Sequence, residues 1–266
     1  MWDPGQYRRF AGERARPFYD LLARVGAEDP RYVVDLGCGP GDLTAELQRR
    51  WPGAAIHGID NSPEMIEAAR QWVPHPAAGN AEAACPRLSF ELADVRDWEP
   101  AAGVDVFISN AVLQWVPDHL ELLPRWAGAL SGGGWLAFQI PGNSGSPPHA
   151  AVRDMAASLR WRPLIGAVEL NRQAADPAVY LDVLAGAGCD VDAWETTYLH
   201  VLGGEDPVVE WVKGTALRPV LAALDDAQAE EFLAEYRQRM RRAYPPRSSG
   251  TILPFRRVFV VARRNR

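Results

Sequence analysis

The stretch Val33 to Gly41, VVDLGCGPG, is an apolar run that passes directly into a glycine-rich turn, and a helical pattern opens behind it at Asp42. A turn of this composition lets backbone come close to a ligand. Gly37 and Gly39 permit positive φ and leave no Cβ in the way, and Gly41 is expected to let the helix start pack closely against the strand. A dinucleotide fingerprint, G-x-G-x-x-G, would need glycine at Asp42; the spacing present is G-x-G-x-G. A carboxylate at a helix N-terminus stabilises the helix but repels a phosphate seated there. A nicotinamide-dependent oxidoreductase is therefore disfavoured, and a nucleoside ligand without phosphates, ideally cationic, is favoured.

Outward from this turn, short apolar runs alternate with helical stretches, the pattern of an α/β protein with a mainly parallel, doubly wound sheet. Strands are expected at Tyr32 to Leu36, Ala55 to Ile59, Leu88 to Leu92, Val104 to Ser109 and Gly134 to Ile140, with later ones near Val191 to His200 and Arg257 to Ala262. Helices are expected at Asp42 to Trp51, Ser62 to Trp72, Asp118 to Leu130 and Pro177 to Ala187. The loop Asn143 to Pro148, the helical stretch from His149 to Pro163, and about 55 residues of helical periodicity before the last strand, notably Pro207 to Leu217 and Asp225 to Tyr244, suggest a cover over the sheet's carboxyl edge. The expected organisation is one domain over 1–266. It comprises a helical arm (1–30), a cofactor core (31–142), a helical cap (143–180 and 203–250) and a last strand (251–266).

The 266 residues are 47% hydrophobic and 23% charged, which excludes a disordered or fibrous chain. Cys38, Cys85 and Cys189 have no C-x-x-C spacing, so neither a disulfide framework nor a zinc knuckle is indicated, and a reducing cytoplasm fits best. No 18-residue apolar run and no secretory pattern are present, so no membrane association is expected. The five histidines show no ligand spacing, and no metal is expected. A net charge of −6 conceals an arginine-rich end: Arg237 to Arg266 holds ten arginines and no acidic residue. A phosphate track for nucleic acid is one reading, disfavoured by the acidic total and the lack of a nucleic-acid module. Most of these arginines read instead as a solvated basic helix face and a charged tail, with a minority available to hold an anion.

DLGCGPG resembles motif I of the class I S-adenosylmethionine-dependent methyltransferases, whose cationic, phosphate-free nucleoside is the ligand the turn favours. Further matches follow in order: HGIDNSPEMI, FELADVRDW and VDVFISNAVLQWV. The resemblance implies a Rossmann-like, seven-stranded sheet and a cofactor set of Asp35, Gly37, Gly39, Gly41, Asp60, Asn61, Met65, Asp94, Val95 and Asn110. In it Asp60 accepts from the ribose hydroxyls, Asp94 from the adenine amino group, the Val95 amide lies near the ring, and Asn110 lines the methionine end. Asp97 reads as a turn residue. Over nearly the whole chain the sequence is similar to the trans-aconitate 2-methyltransferase family. The arm (Trp2, Pro4, Tyr7, Phe10, Arg14, Pro17), FQIPGNSGSPPH, VVEWVKGTALRPVL and ILPFRRVFVVA carry that likeness. Departures lie at Ser248 to Gly250 and in the Ala- and Pro-rich loop Pro74 to Pro86.

That resemblance implies methyl transfer from S-adenosylmethionine to a carboxylate, giving a monomethyl ester. A carboxylate is ionised at neutral pH and needs no general base, so no catalytic acid or base is expected, only alignment and exclusion of water. The other carboxylates of a small polycarboxylate need fixed donors, for which Arg218, Arg256 and Arg257 are candidates. Tyr7, Gln139, His149 and Tyr198 are candidate polar partners. His119 reads as a helix-start residue, and Trp115 and Trp211 as wall or core aromatics. Alternatives are a same-fold enzyme for another small acid, hydroxyl or amine metabolite, or a non-catalytic protein that keeps the cofactor pocket. Oligomeric state stays open.

Overall fold

A computed structural model describes residues 11–73, 87–168 and 174–266. Its strands are β1 (Tyr32–Leu36), β2 (Ala55–Asp60), β3 (Leu88–Leu92), β4 (Val104–Asn110), β5 (Leu130–Pro141), β6 (Cys189–Leu202) and β7 (Thr251–Arg264). They form one seven-stranded sheet in the order β3-β2-β1-β4-β5-β7-β6. The first five are parallel, and β7 enters antiparallel between β5 and β6. This is the Rossmann-like architecture expected. Its strand order reverses between β1 and β4, the switch point where such sheets open a crevice at their carboxyl edge.

The described helices are α1 (Ala11–Leu22), α2 (Asp42–Arg50), α3 (Pro63–Ala69), α4 (His119–Ala129), α5 (Pro147–Ala157), α6 (Arg162–Ile165), α7 (Pro177–Gly186), α8 (Pro207–Lys213), α9 (Arg218–Ala222) and α10 (Asp226–Ala243). Several were expected to be longer. Ser62 caps α3 by accepting from the Met65 amide, and the stretch to Trp72 finishes as a 3-10 turn. The helix expected over Pro207 to Leu217 stops at Lys213, and a new one starts at Arg218 with Pro219 in its first turn. Asp225 and Gln228 form a reciprocal capping box at the start of α10.

Three apolar clusters hold these layers. Trp126 of α4, Tyr180 of α7 and Phe138 of β5 pack on one face of the sheet; Phe18 and Leu21 of α1, Leu47 of α2 and Phe259 of β7 pack on the other. Each such fully buried side chain contributes about 1.5–3 kcal/mol. The third cluster joins α5, α6 and α8 to α10 with Leu202, Leu253 and Phe255 at the far end of the β6/β7 ribbon. The α7 helix belongs with the sheet, although the expected cap range reached into its first turn.

That ribbon is longer than the apolar pattern indicated. β6 and β7 pair without a break from Cys189↔Arg264 to Leu202↔Thr251, so Arg256 and Arg257 lie within β7 and not before it. Ladder hydrogen bonds extend a strand past the point where its side chains cease to alternate cleanly. β5 likewise starts at Leu130, its early residues joined to β4 through a register shift between Val104 and Val106.

Candidate active site

The glycines after β1 have φ values of 77° (Gly37), 57° (Gly39) and 81° (Gly41), all left-handed. Their further reasons for being glycine differ. A Cβ at Gly37 would lie 2.2 Å from a Val112 methyl carbon, and one at Gly41 would lie 2.8 Å from the Ala69 Cβ and 2.9 Å from the Phe90 ring. Gly41 therefore admits α3 and β3 rather than the preceding strand, as its place after that strand had suggested. A Cβ at Gly39 would meet no protein atom within 4 Å. Here the backbone itself borders a cleft of about 590 Å³ at the carboxyl ends of β1, β2 and β4, a volume typical of small-molecule sites.

Asp60, at the end of β2, ties the turn down. Its Oδ2 accepts from the Gly39 amide at 3.0 Å and its Oδ1 from the Ser62 amide at 2.9 Å. Burial raises its pKa and these amides oppose the rise. Asp94 follows β3 and is clasped by Arg96, whose Nε and guanidinium NH2 donate to its two oxygens at 2.9 and 2.7 Å; Asn61 donates at 3.2 Å. These charge-assisted bonds hold the Asp94 carboxyl well below the usual carboxylate range. Asp97 sits in the turn that follows, its amide bonded to the Asp94 carbonyl at 3.1 Å.

At the end of β4, Asn110 borders the cleft, and Ala111 beside it takes a left-handed φ of 59°, a strained conformation for a residue with a Cβ. Asn110 Oδ1 accepts from Gln139 Nε2 at 2.5 Å, and Gln139 Oε1 accepts from the Arg257 guanidinium at 3.0 Å. Val112, Trp115 and the 3-10 turn Leu113–Trp115 form one wall, and Arg218 and Pro219 of α9 reach the cleft from the cap.

Of the expected cofactor residues, Gly37, Gly39, Asp60, Asn61, Met65, Asp94, Val95 and Asn110 border this cleft, and so does Arg218 from the expected acceptor set. Asp35 and Gly41 do not; they stand behind the turn. Asp35 is buried and accepts from the Thr44 hydroxyl at 2.7 Å, and desolvation, reinforced by Asp60 and Asp42, pushes its pKa up to about 7.

The expected acceptor set is otherwise dispersed. Tyr198 donates to Asp20 at 2.6 Å under the Arg16 guanidinium, on the α1 side of the sheet. His149 lies against Ser146 at 3.3 Å in the cap, and burial, with the Arg153 charge, lowers its pKa to about 4. Arg256 donates to the Gly142 carbonyl at 2.7 Å and pairs with Glu195. Because side chains alternate along β7, Arg256 and Arg257 face opposite sides of the sheet; the first meets an acidic neighbour on β6, and the second is buried beside Gln139. Tyr7 lies outside the described residues.

Sequence reasoning did not single out Arg96, the Ala111 strain or Val112. The spacing Asp94-x-Arg96 was the available signal for the first. The arginine-rich end is largely taken up by the protein itself: Arg237 and Arg241 pair with Asp206, Arg239 with Glu235, and Arg264 donates to backbone carbonyls. His119 opens α4, and its Nε2 is 2.9 Å from the Tyr180 hydroxyl while Nδ1 faces the Val116 carbonyl at 3.3 Å. Nδ1, facing a carbonyl, carries the proton, and burial lowers the pKa of the ring; the unprotonated Nε2 therefore accepts from the Tyr180 hydroxyl, whose oxygen accepts from the Ala175 amide at 3.0 Å. Trp211 is buried in the cap. No helix among the described residues is long and apolar enough to cross a membrane.

Residues 33–134, the glycine turn through the start of β5, match the family model described as a methyltransferase domain. A solved chain, the putative methyltransferase bound to the Trm112 activator of Haloferax volcanii, has 20% identity and a TM-score of 0.55 over 97% of this chain and 92% of its own, a likeness of fold. Sequence likeness reaches further. The trans-aconitate 2-methyltransferase of Streptomyces avermitilis is 53% identical over 98% of this chain and 96% of its own length. The protein of that name from Rhodococcus jostii is 50% identical over 98% and 99%. A match that covers 98% of the chain spans the cap and the β6/β7 ribbon as well as the strands behind the cleft, and this chain therefore belongs to the trans-aconitate 2-methyltransferase family.

Proposed function

We propose that this protein transfers a methyl group from S-adenosylmethionine to one carboxylate of trans-aconitate. The observation that carries the acceptor is identity near 50% over almost the full length with chains named for that reaction, cap included. The cofactor assignment is supported by the chemistry of the cleft. Gly39 offers backbone with open space before it, two carboxylates, Asp60 and Asp94, follow β2 and β3, and no glycine stands at Asp42 for a pyrophosphate. Asp60 and Asn61 would hold the ribose, Asp94 and the Val95 amide the adenine, Met65 would pack beside the nucleoside, and Asn110 and the glycine turn would face the methionine end. Bound there, S-adenosylmethionine supplies an electrophilic methyl on a sulfonium.

The remaining work belongs to the chain. An ionised carboxylate is already the nucleophile, so no residue needs to remove a proton. His119, bonded on both ring nitrogens, supports a mechanism without a general base. Val112, Trp115 and Pro219 give the cleft an apolar wall; with both ligands bound against it, water would be displaced and the attraction between carboxylate and sulfonium strengthened as their charges cancel. Arg218 on the cap wall is the candidate donor for a second carboxylate. We also take residues 1–266 as one catalytic unit and place it in the cytoplasm, where the free, buried Cys38 and Cys189 suit a reducing environment. Base-labile label transferred to trans-aconitate from methyl-labelled S-adenosylmethionine tests the reaction.

A further inference from the structure

Two side-chain amides and a guanidinium are coupled across β4, β5 and β7 in a way that sets which atom the cleft receives. Arg257 carries hydrogen-bond donors only. The Gln139 atom facing it at 3.0 Å must therefore be Oε1, since the reversed amide would set N–H against N–H. That aims Gln139 Nε2 at Asn110, whose facing atom must in turn be the acceptor Oδ1, at 2.5 Å. Asn110 is half-buried and borders the cleft, and its Nδ2 makes no hydrogen bond to another described residue. The order of donors thus runs from a permanent cation to an N–H group offered to the cleft.

A buried guanidinium must be held by hydrogen-bond partners, and Gln139 Oε1 is one of them. Both Gln139 and Arg257 are almost fully buried, at 1% and 5% exposure. Strand order places Asn110 on the β4 side of the switch point, toward the cap, while Asp60 and Asp94 follow β2 and β3 on the other side. Arg218 of the cap borders the same cleft. We propose that Gln139 and Arg257 are positioning residues that hold the Asn110 amide with its N–H group toward a carboxylate of the acid acceptor. The inference rests on the acid acceptor proposed above.

Gln139→Glu tests the polarity. The new carboxylate still accepts from Arg257 but has no proton for Asn110, which must turn its Nδ2 inward and present Oδ1 to the acid. Asn110→Asp places an acceptor at the cleft without altering Gln139. Gln139→Glu is expected to raise the KM for trans-aconitate at least tenfold while the Kd for S-adenosylmethionine, measured calorimetrically, changes less than about threefold; Asn110→Asp, at a residue that also faces the methionine end, is expected to raise that KM at least tenfold and by a larger factor than it raises that Kd. An unchanged KM in Gln139→Glu, or a loss confined to S-adenosylmethionine affinity in either variant, overturns the proposal. If Gln139→Glu does not fold, the KM-against-Kd split in Asn110→Asp decides the matter by the same criteria. A wild-type protein that methylates no acid removes the acceptor and this inference together; an active wild type with unaltered variants removes this inference alone.

Discussion

The Gly39 amide donates to Asp60 Oδ2 at 3.0 Å, so the glycine turn after β1 and the acid that ends β2 are held as one piece. Asp60 therefore has two tasks, bracing the turn and meeting the cofactor. Asp60→Ala is expected to cost about 1–3 kcal/mol of stability by leaving the Gly39 and Ser62 amides without their acceptor. It should also weaken S-adenosylmethionine binding at least tenfold. Thermal melts and cofactor titration of the same preparation check both effects; normal affinity in a folded variant would contradict the second task.

The glycines should separate by experiment as they do by surroundings. Gly39→Ala meets no neighbour and bears only the left-handed conformation, a cost of about 1–2 kcal/mol, and its main effect should be on cofactor affinity. Gly37→Ala forces a Cβ onto Val112 and should lose at least as much stability again through overpacking. Equal melting temperatures for the two variants would count against this division.

Asp35 gives a pH signature. Its pKa is raised to about 7 by burial, Asp60 and Asp42, so the folded protein favours the protonated acid. The stability this contributes is fully present below the unfolded value near 4 and is lost as pH rises towards 7. Asp35→Asn removes the dependence. It should melt close to the wild type at pH 4 and above it at pH 8, the gain amounting to a few kcal/mol at most. A stability difference that does not vary between pH 4 and 8 would refute the assignment.

Neighbours in sequence, Arg256 and Arg257 should behave as strangers. Arg256 serves the Gly142 carbonyl and a partly exposed pair with Glu195, so Arg256→Ala is expected to change the acceptor KM by less than about twofold and stability by about 1 kcal/mol or less. Arg257→Ala, by releasing Gln139, should raise that KM at least tenfold. Initial rates at varied trans-aconitate decide between them.

How much of this was legible beforehand follows from what each feature depends on. The strands β1 to β4 and the cleft residues behind them were readable because each strand is followed by a glycine, acid or amide within a few residues of its apolar run, so function and local pattern coincide. The acceptor side was not. Tyr198 and Arg256 sit on a ribbon whose register comes from pairing with a strand some 60 residues away, and only that register decides which face each side chain takes. Tyr198 meets Asp20 of α1, a contact with no signature near either residue. The same holds for the bonds from Arg257 through Gln139 to Asn110, which join three strands far apart in sequence.

The most direct test of the central claim is methyl transfer from labelled S-adenosylmethionine to trans-aconitate, cis-aconitate, citrate and isocitrate, run beside phenols and amines. The account predicts label on trans-aconitate that is released by base, as a methyl ester must be, and little or none on the phenols and amines. Tight cofactor binding with no base-labile label on any acid would contradict it.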